Sequence, residues 1–219
     1  MKNILLILGS PRDRASYSHQ IGRRIVDDLK SRYPSAKVVV RNLAKEALPD
    51  VDDAFVTGRM LAPDKRSAAE TAALALSDVL VGELLAADVL VLATPMHNFG
   101  ISASVKAWID HIVRPGVTFS YSDKGPLGLV QGKKLILVLA RGGVYSEGPM
   151  KPYDFQEPYL RTVLGLIGMT DVEVIRIEGV AMGDDAVRNA DSDTIARTTP
   201  SACALADVTA SVPVLAEAA

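Results

Sequence analysis

The side chains best suited to hold a flat aromatic ligand stand together in one segment, residues 95–101. Met96 and Phe99 can pack on a ring, and Asn98 can both donate and accept hydrogen bonds. The short apolar run before this segment, residues 88–93, predicts a buried strand. Because ligands of open parallel sheets bind at the carboxyl ends of strands, residues 95–101 are predicted to form a ligand-binding loop.

A second group of polar side chains, Ser10, Ser16 and Ser18, lies between the predicted first strand, residues 4–8, and a helical pattern. The N-terminus of a helix presents free N–H groups and a partial positive charge, so hydroxyls placed there suit a phosphate. The alternative is that Ser16 or Ser18 only caps the helix, a common role of serine at this position. The sequence leaves both interpretations open.

Two consecutive glycines, Gly142 and Gly143, follow the predicted fourth strand, residues 134–139. Glycine allows the backbone to approach a flat ligand closely and to point N–H groups at it. An ordinary tight turn would use the same residues, and the pattern alone does not separate the two.

Several other chemistries lack the residues that they need. The three histidines, His19, His97 and His111, are not spaced as metal ligands, so no metal site is predicted. The sequence contains no G-x-G-x-x-G, P-loop or G-x-S-x-G motif, which argues against a Rossmann dinucleotide site, an NTPase and a nucleophile-elbow hydrolase. His111 is expected to be a structural or partly exposed residue, whereas His97 lies in the predicted binding loop.

Length and charge limit the remaining classes. The chain has 219 residues, 48% of them hydrophobic, and a net charge of −2. We expect one domain, residues 1–200, followed by a poorly ordered or loosely packed tail, residues 201–219. The charge balance argues against nucleic-acid and membrane partners, which need a basic excess. The lone cysteine, Cys203, cannot form an internal disulfide, so a reducing, cytoplasmic location is expected.

Strands alternate with helices along the chain, which predicts a doubly wound α/β fold, a parallel sheet with helices on both faces. Five strands are expected, at residues 4–8, 37–41, 88–93, 134–139 and 172–177, in the flavodoxin-like order 2-1-3-4-5. Helices are expected after residue 18, at residues 67–85, from residue 102 or 104, at residues 159–167 and from residue 183. A short extra strand is expected at residues 117–121, with Gly125-Pro126 as a turn. In this topology the three candidate segments meet at one sheet edge.

Together these motifs resemble those of the FMN-dependent NADH-azoreductases, a family that also reduces quinones. The resemblance rests on three stretches, Ser10 with Ser16-Tyr17-Ser18, Pro95-Met96-His97-Asn98-Phe99, and Arg141-Gly142-Gly143. It continues through Gly116-Val117-Thr118-Phe119 and Gly132-Lys133-Lys134 and covers residues 1–195.

The resemblance implies bound FMN, NADH or NADPH as reductant, a small quinone or azo substrate, and a homodimer. The residues implied for the phosphate end are Ser10, Ser16, Tyr17 and Ser18. Those implied for the ring are Pro95, Met96, His97, Asn98 and Phe99, and those for its pyrimidine edge are Ala140, Arg141, Gly142 and Gly143. Phe119 and Tyr121 would line the substrate pocket. No side chain would be catalytic, because the flavin carries the chemistry, and ping-pong transfer of two electrons is expected.

Two positions depart from the family pattern, which has tyrosine at His97 and often serine at Ala140. Losing a hydroxyl at Ala140 removes at most one hydrogen bond, worth about 1 kcal/mol net. His97 changes the shape of the ring at this position. These departures bear on substrate range and cofactor affinity more than on the fold.

Two alternatives would use the same fold, an electron carrier that turns over no substrate and a flavin-free regulatory binding protein. The net charge of −2 and the aromatic residues Phe119 and Tyr121 argue against a carrier, which would need a strongly acidic surface. A protein that stays colourless after FMN is added would support the regulatory alternative.

Overall fold

A computed structural model of the chain describes residues 2–182. The helix expected from residue 183 and the tail at residues 201–219 lie outside the described residues. The strands are β1 (Asn3–Leu8), β2 (Lys37–Asn42), β3 (Val89–Pro95), β4 (Phe119–Ser122), β5 (Gly125–Gly128), β6 (Lys134–Ala140) and β7 (Asp171–Ile177). The α-helices are α1 (Tyr17–Arg32), α2 (Asp53–Gly58), α3 (Ala68–Ala86), α4 (Ala103–Ile112) and α5 (Glu157–Leu166).

Five strands form one parallel sheet in the order β2-β1-β3-β6-β7. This confirms the predicted order 2-1-3-4-5, since β6 and β7 are the fourth and fifth strands of the sheet. The central strands β3 and β6 are buried along almost their whole length, which explains their continuous apolar sequences. The order also places the carboxyl ends of β1, β3 and β6 side by side.

The sheet separates two apolar cores, because successive strand residues point to opposite faces. On one face, α3, α4 and α5 pack against strand residues such as Leu5, Leu90 and Leu135, and Trp108 of α4 is fully buried there. On the other face, α1 packs on Ile4, Val91 and other strand residues through an apolar stripe that includes Ile21 and Ile25. Helices on both faces confirm the doubly wound architecture.

The hairpin of β4 and β5 differs from the prediction at Gly125-Pro126. These residues were expected to form a turn, but they are strand residues paired with Ser122 and Tyr121. Proline is tolerated there because β5 is an edge strand, so its missing N–H removes no bond from a central ladder.

The segment between β6 and β7 contains more regular structure than its sequence indicates. A 3₁₀ helix, Gly148–Tyr153, lies in a segment for which no helix was predicted, because its prolines obscure the helical pattern. The next helix, α5, begins at Glu157 rather than at the predicted Tyr159. Pro158 lies in its first turn, where the missing N–H would have no intrahelical partner in any case.

Candidate cofactor-binding site

Three loops meet at the carboxyl edge of the sheet: the first loop (residues 9–16) after β1, the second loop (residues 96–102) after β3, and the third loop (residues 141–147) after β6. Gly9 N donates to Ala93 O at 2.8 Å, and Met96 N donates to Ala140 O at 2.8 Å. Ser102 Oγ donates to Gly9 O at 2.8 Å and also caps α4. These bonds join the three candidate segments into one continuous site.

Two serines, one at the end of the first loop and one in the first turn of α1, organise the N-terminus of this helix. Ser16 Oγ accepts a hydrogen bond of 3.5 Å from His19 N, so Ser16 is the N-cap. The Oγ atoms of Ser16 and Ser18 lie 3.1 Å apart, and both residues are buried. The capping interpretation is therefore correct for Ser16. It leaves the phosphate interpretation open, because the N–H groups of Tyr17 and Ser18 have no partner inside the helix.

The charges around this helix end favour an anion. The first turn of α1 contains no acidic side chain. The carboxylate of Asp13 in the first loop is bound by Lys45 Nζ at 2.9 Å and by Asn42 Nδ2 at 3.1 Å. The hydrogen bond from Lys45 lowers the pKa of Asp13. Because this carboxylate is already compensated, it offers little repulsion to a phosphate at the helix end.

His19 is a residue of this site that sequence reasoning missed. Its ring is 1% exposed, and Ser10 N donates to His19 Nε2 at 2.9 Å. Burial, followed by repulsion from Arg23, lowers the pKa of His19 to about 4, so the ring is neutral at pH 7. Its position next to Ser18 was the only signal in the sequence, and any polar residue in a first helical turn gives the same signal.

The second loop contains a two-residue turn between His97 and Gly100. His97 N donates to Gly100 O and Gly100 N donates to His97 O, both at 3.0 Å. Asn98 at φ 48° and Phe99 at φ 69° both adopt the left-handed conformation that a type I′ turn requires. Asparagine tolerates this conformation, whereas phenylalanine seldom does. The turn leaves His97, Asn98 and Phe99 exposed beside the sheet edge.

Phe99 belongs to an aromatic cluster that joins the second and third loops. Its ring centroid lies 6.2 Å from that of Tyr145 and 5.6 Å from that of Tyr153. Phe155 N also donates to Phe99 O at 3.0 Å. Sequence reasoning did not include Tyr145 and Tyr153, because they lie in a segment without regular periodicity.

The guanidinium of Arg141 is a buried structural centre of the third loop. Its Nε donates to Gln156 Oε1 at 3.0 Å, its Nη1 donates to Glu178 Oε1 at 3.0 Å, and its Nη2 lies 2.9 Å from Asp154 Oδ2. The backbone N–H of Arg141 donates to Ile177 O at 2.8 Å. The Nε, the Nη1 and the backbone N–H therefore serve the protein itself, whereas Nη2 lies within ion-pair distance of Asp154 and has no hydrogen-bond partner among the described residues. The contact between Arg141 and a ligand, which the resemblance implies, stays a prediction without support from this geometry.

The two glycines of the third loop retain free donors. Gly142 O accepts from Ala181 N and Gly143 O accepts from Gly179 N, both at 3.1 Å. Among residues 2–182, the N–H groups of Gly142 and Gly143 have no backbone partner outside the regular elements. A Cβ on Gly143 would lie 3.4 Å from the Tyr145 ring. The predicted donor role of these glycines is therefore geometrically possible.

The two residues expected in a substrate pocket differ in accessibility. Phe119 is 5% exposed and belongs to the apolar core, whereas Tyr121 is 76% exposed on the hairpin. Their rings pack edge to face, with centroids 5.4 Å apart. Tyr121 is thus accessible to a ligand, and Phe119 packs against its ring from the core side.

Neither a metal-binding cluster nor a membrane-spanning helix is found in the part of the chain that the structure describes. No group of three or more His, Cys, Asp or Glu side chains there is arranged to hold a metal ion. His111 is buried against Phe55 and its Nε2 lies 3.0 Å from Pro49 O, which confirms its structural role. Between residues 2 and 182, no helix combines the length and apolar character needed to cross a bilayer.

The residues present fit a flat ring that carries a phosphate. Ser10 is buried with its Oγ accepting from Arg12 N at 3.3 Å, which leaves its hydroxyl hydrogen for a ligand. In the second loop, Pro95 and Met96 are half-buried beside the exposed turn residues. Hydroxyl and N–H donors therefore lie at the end of the first loop, and ring-packing side chains lie in the second loop.

Comparison with known proteins agrees with this arrangement. A family model described as flavodoxin-like fold matches residues 2–198. A protein of Mesorhizobium japonicum named FMN-dependent NADH:quinone oxidoreductase is 48% identical over 185 residues, which are 84% of this chain and 88% of that protein. A protein of Beijerinckia indica with the same name is 52% identical over 184 residues, 82% of this chain and 89% of its own length.

Solved structures give the same result for the fold. An azoreductase from Bacillus anthracis superposes with a TM-score of 0.83 at 30% identity, covering 92% of this chain and 99% of its own. An FMN-dependent NADH-azoreductase of the same species, solved in complex with FMN, also gives a TM-score of 0.83, at 21% identity and over 92% of this chain and 100% of its own. The second likeness concerns the fold alone.

Proposed function

The chain belongs to the flavodoxin-like family, and on this premise we propose that it is an FMN-dependent NADH:quinone oxidoreductase that also reduces azo compounds. The observation that carries the proposal is the meeting of the three loops at one sheet edge, held by the bonds from Gly9 to Ala93 and from Met96 to Ala140. The names of the relatives support the same cofactor, reductant and acceptor class.

In this proposal the chain's own residues bind and orient the cofactor. The hydroxyls of Ser10, Ser16 and Ser18 and the N–H groups at the start of α1 hold the phosphate. The ring packs on the second loop, through Pro95, Met96, His97, Asn98 and Phe99. Its pyrimidine edge receives the N–H groups of Gly142 and Gly143, beside Ala140 at the end of β6.

FMN, when bound, supplies the redox chemistry by accepting a hydride at N5 and passing on two electrons. The free N–H groups of Gly142 and Gly143 are fixed donors that would stabilise negative charge at the pyrimidine edge. No side chain needs to act as acid or nucleophile in this scheme.

We further infer that the reductant, NADH or NADPH, and the acceptor bind in turn at one shared position beside the second and third loops. The aromatic cluster of Phe99, Tyr145 and Tyr153 lies where the second and third loops meet and would stack on either planar ligand. This arrangement predicts ping-pong kinetics. Initial rates at several NADH and benzoquinone concentrations should give parallel double-reciprocal lines, and intersecting lines would contradict the shared binding position.

We also infer a homodimer in the cytoplasm. Tyr121 and Leu127 of the β4–β5 hairpin and Leu129 just after it are exposed apolar side chains, and we assign them to the surface that a partner covers. Sedimentation should give the mass of two chains. The cytoplasmic location agrees with the lone Cys203 and with a nicotinamide reductant.

An absorbance assay tests the proposed activity against its rivals. The protein should bind FMN, NADH should bleach the bound flavin under anaerobic conditions, and benzoquinone should restore the yellow colour. A protein that binds FMN but is not reduced by NADH would be an electron carrier. One that does not bind FMN would be a flavin-free binding protein.

A further inference from the structure

We propose that His19 is a positioning residue for the phosphate of FMN, which it serves by fixing the backbone of Ser10 at the start of the first loop. This inference rests on the proposed function. His19 would not contact the cofactor itself. It would hold the serine whose hydroxyl does so.

The first step of the argument is the direction of one hydrogen bond. A backbone N–H can only donate, so the 2.9 Å contact from Ser10 N makes His19 Nε2 the acceptor. The neutral ring then carries its hydrogen on Nδ1. Both residues are buried, at 3% exposure for Ser10 and 1% for His19. The bond is therefore shielded from water, and breaking it would leave a buried N–H without a partner.

The second step is the cost of this orientation. Within the described residues, His19 Nδ1 is buried and has no hydrogen-bond partner, although the backbone of Asp13 lies near enough to favour the protonated ring. An unsatisfied donor destabilises the fold. A ring held only by core packing could rotate to bring Nδ1 closer to the backbone of Asp13. The bond to Ser10 explains why the ring is held as it is.

The third step is the effect on Ser10. With its N–H bound by His19, Ser10 presents only its hydroxyl to a ligand. Ser10 Oγ accepts from Arg12 N at 3.3 Å, so its hydrogen remains available for a phosphate oxygen. A rotation of the Ser10 backbone would move that hydroxyl and also Gly9, whose carbonyl accepts from Ser102 Oγ.

The fourth step concerns the charge of the ring. The imidazole can accept this bond only while Nε2 is unprotonated. Burial and the nearby Arg23 favour the neutral form, and Asp13, itself paired with Lys45, opposes them. The acceptor is consequently present throughout the neutral pH range.

The test compares the binding of FMN with that of riboflavin, which has the same ring and no phosphate. His19→Leu removes the acceptor, whereas His19→Gln can place Oε1 near the position of Nε2. His19→Asn keeps a polar side chain that is too short to reach Ser10 N. Dissociation constants are measured by quenching of flavin fluorescence at pH 7.5, on protein shown to be folded by circular dichroism.

We expect His19→Leu and His19→Asn to weaken FMN binding roughly tenfold, the factor that corresponds to about one lost hydrogen bond. Riboflavin binding should change less than twofold, and His19→Gln should recover most of the FMN affinity. Asn and Gln give the comparison without relying on the apolar variant, should Leu prevent folding. His111→Leu, which alters the other buried structural histidine, should leave both affinities unchanged.

Equal losses for FMN and riboflavin, or no loss of FMN affinity in His19→Asn, would overturn the positioning role while leaving the proposed function intact. Failure of the unaltered protein to bind either flavin would instead overturn the proposed function, and the role of His19 with it.

Discussion

Met96 N donates a hydrogen bond of 2.8 Å to Ala140 O, which joins the second loop to the last residue of β6. The bond continues the parallel register in which Pro95 lies opposite Ala140. The ring-packing residues and the glycine donors are thereby fixed relative to each other by backbone alone. Side-chain substitutions at His97 or Ala140 can change affinity without separating the two loops.

Loss of Arg141 should destabilise the fold strongly. Arg141→Ala leaves Asp154 and Glu178 without their buried cationic partner, which typically costs about 3–5 kcal/mol. The free energy of unfolding in urea measures this loss. Arg161→Ala removes a half-exposed arginine from Glu157, which keeps its bonds to Arg176, and should cost less than about 1 kcal/mol. Similar losses in the two variants would refute the role of Arg141 as a structural centre.

Comparing two substitutions of Phe99 should reveal the backbone strain of the turn in the second loop. Phe99→Ala and Phe99→Gly both lose the ring, but only glycine relieves the φ of 69°. We expect Phe99→Gly to be about 1 kcal/mol more stable than Phe99→Ala in thermal or urea unfolding. Both variants should bind FMN more weakly than the unaltered protein. If the alanine variant is as stable as the glycine variant, the turn is not strained.

Gly9 should not tolerate a side chain. A Cβ there would lie 2.3 Å from Val105 Cγ2, so Gly9→Ala forces the first loop away from α4. We expect a cost of about 1–3 kcal/mol and weaker FMN binding. Gly82→Ala is the matched control, because a Cβ there meets nothing within 4 Å and alanine favours the helix. Its free energy of unfolding should rise, and a fall of the same size as in Gly9→Ala would contradict the packing argument.

The neutral state of His19 should make FMN-free protein less stable in acid. The pKa of His19 is about 4 in the fold and 6.5 in the reference state, so the unfolded chain binds the extra proton between these values. Stability should therefore fall as the pH decreases from 6.5 to 4, by at most about 1.4 kcal/mol per pH unit. In His19→Gln this component is absent. Parallel pH profiles of the two proteins would show that His19 does not titrate in this way.

The sequence predicted the sheet and the three loops because their signals are local. The apolar runs of β3 and β6 reflect burial on both faces, and the stripe of α1 reflects burial on one. The bond from Ser10 to His19 was not predictable, because the tautomer and direction of an imidazole depend on tertiary packing. The ion pairs of Arg141 likewise link residues far apart in the chain, and a glycine-rich loop gave no sign of them.

The aromatic cluster shows the same limit. Tyr145 and Tyr153 lie in a segment whose prolines and glycines obscure any period, and their proximity to Phe99 depends on the left-handed turn of the second loop. Phe119 and Tyr121 alternate along one short strand, yet only the second is exposed, because the hairpin buries its base in the core.

The central claim is that the three loops bind one molecule of FMN, and a crystal structure of the protein grown with FMN tests it most directly. The account predicts density for the phosphate at the N-terminus of α1, within hydrogen-bond reach of Ser10, Ser16 and Ser18. It predicts the ring against residues 96–99 and the pyrimidine edge at Gly142 and Gly143. Flavin bound anywhere else on the protein, or a phosphate directed away from α1, would contradict it.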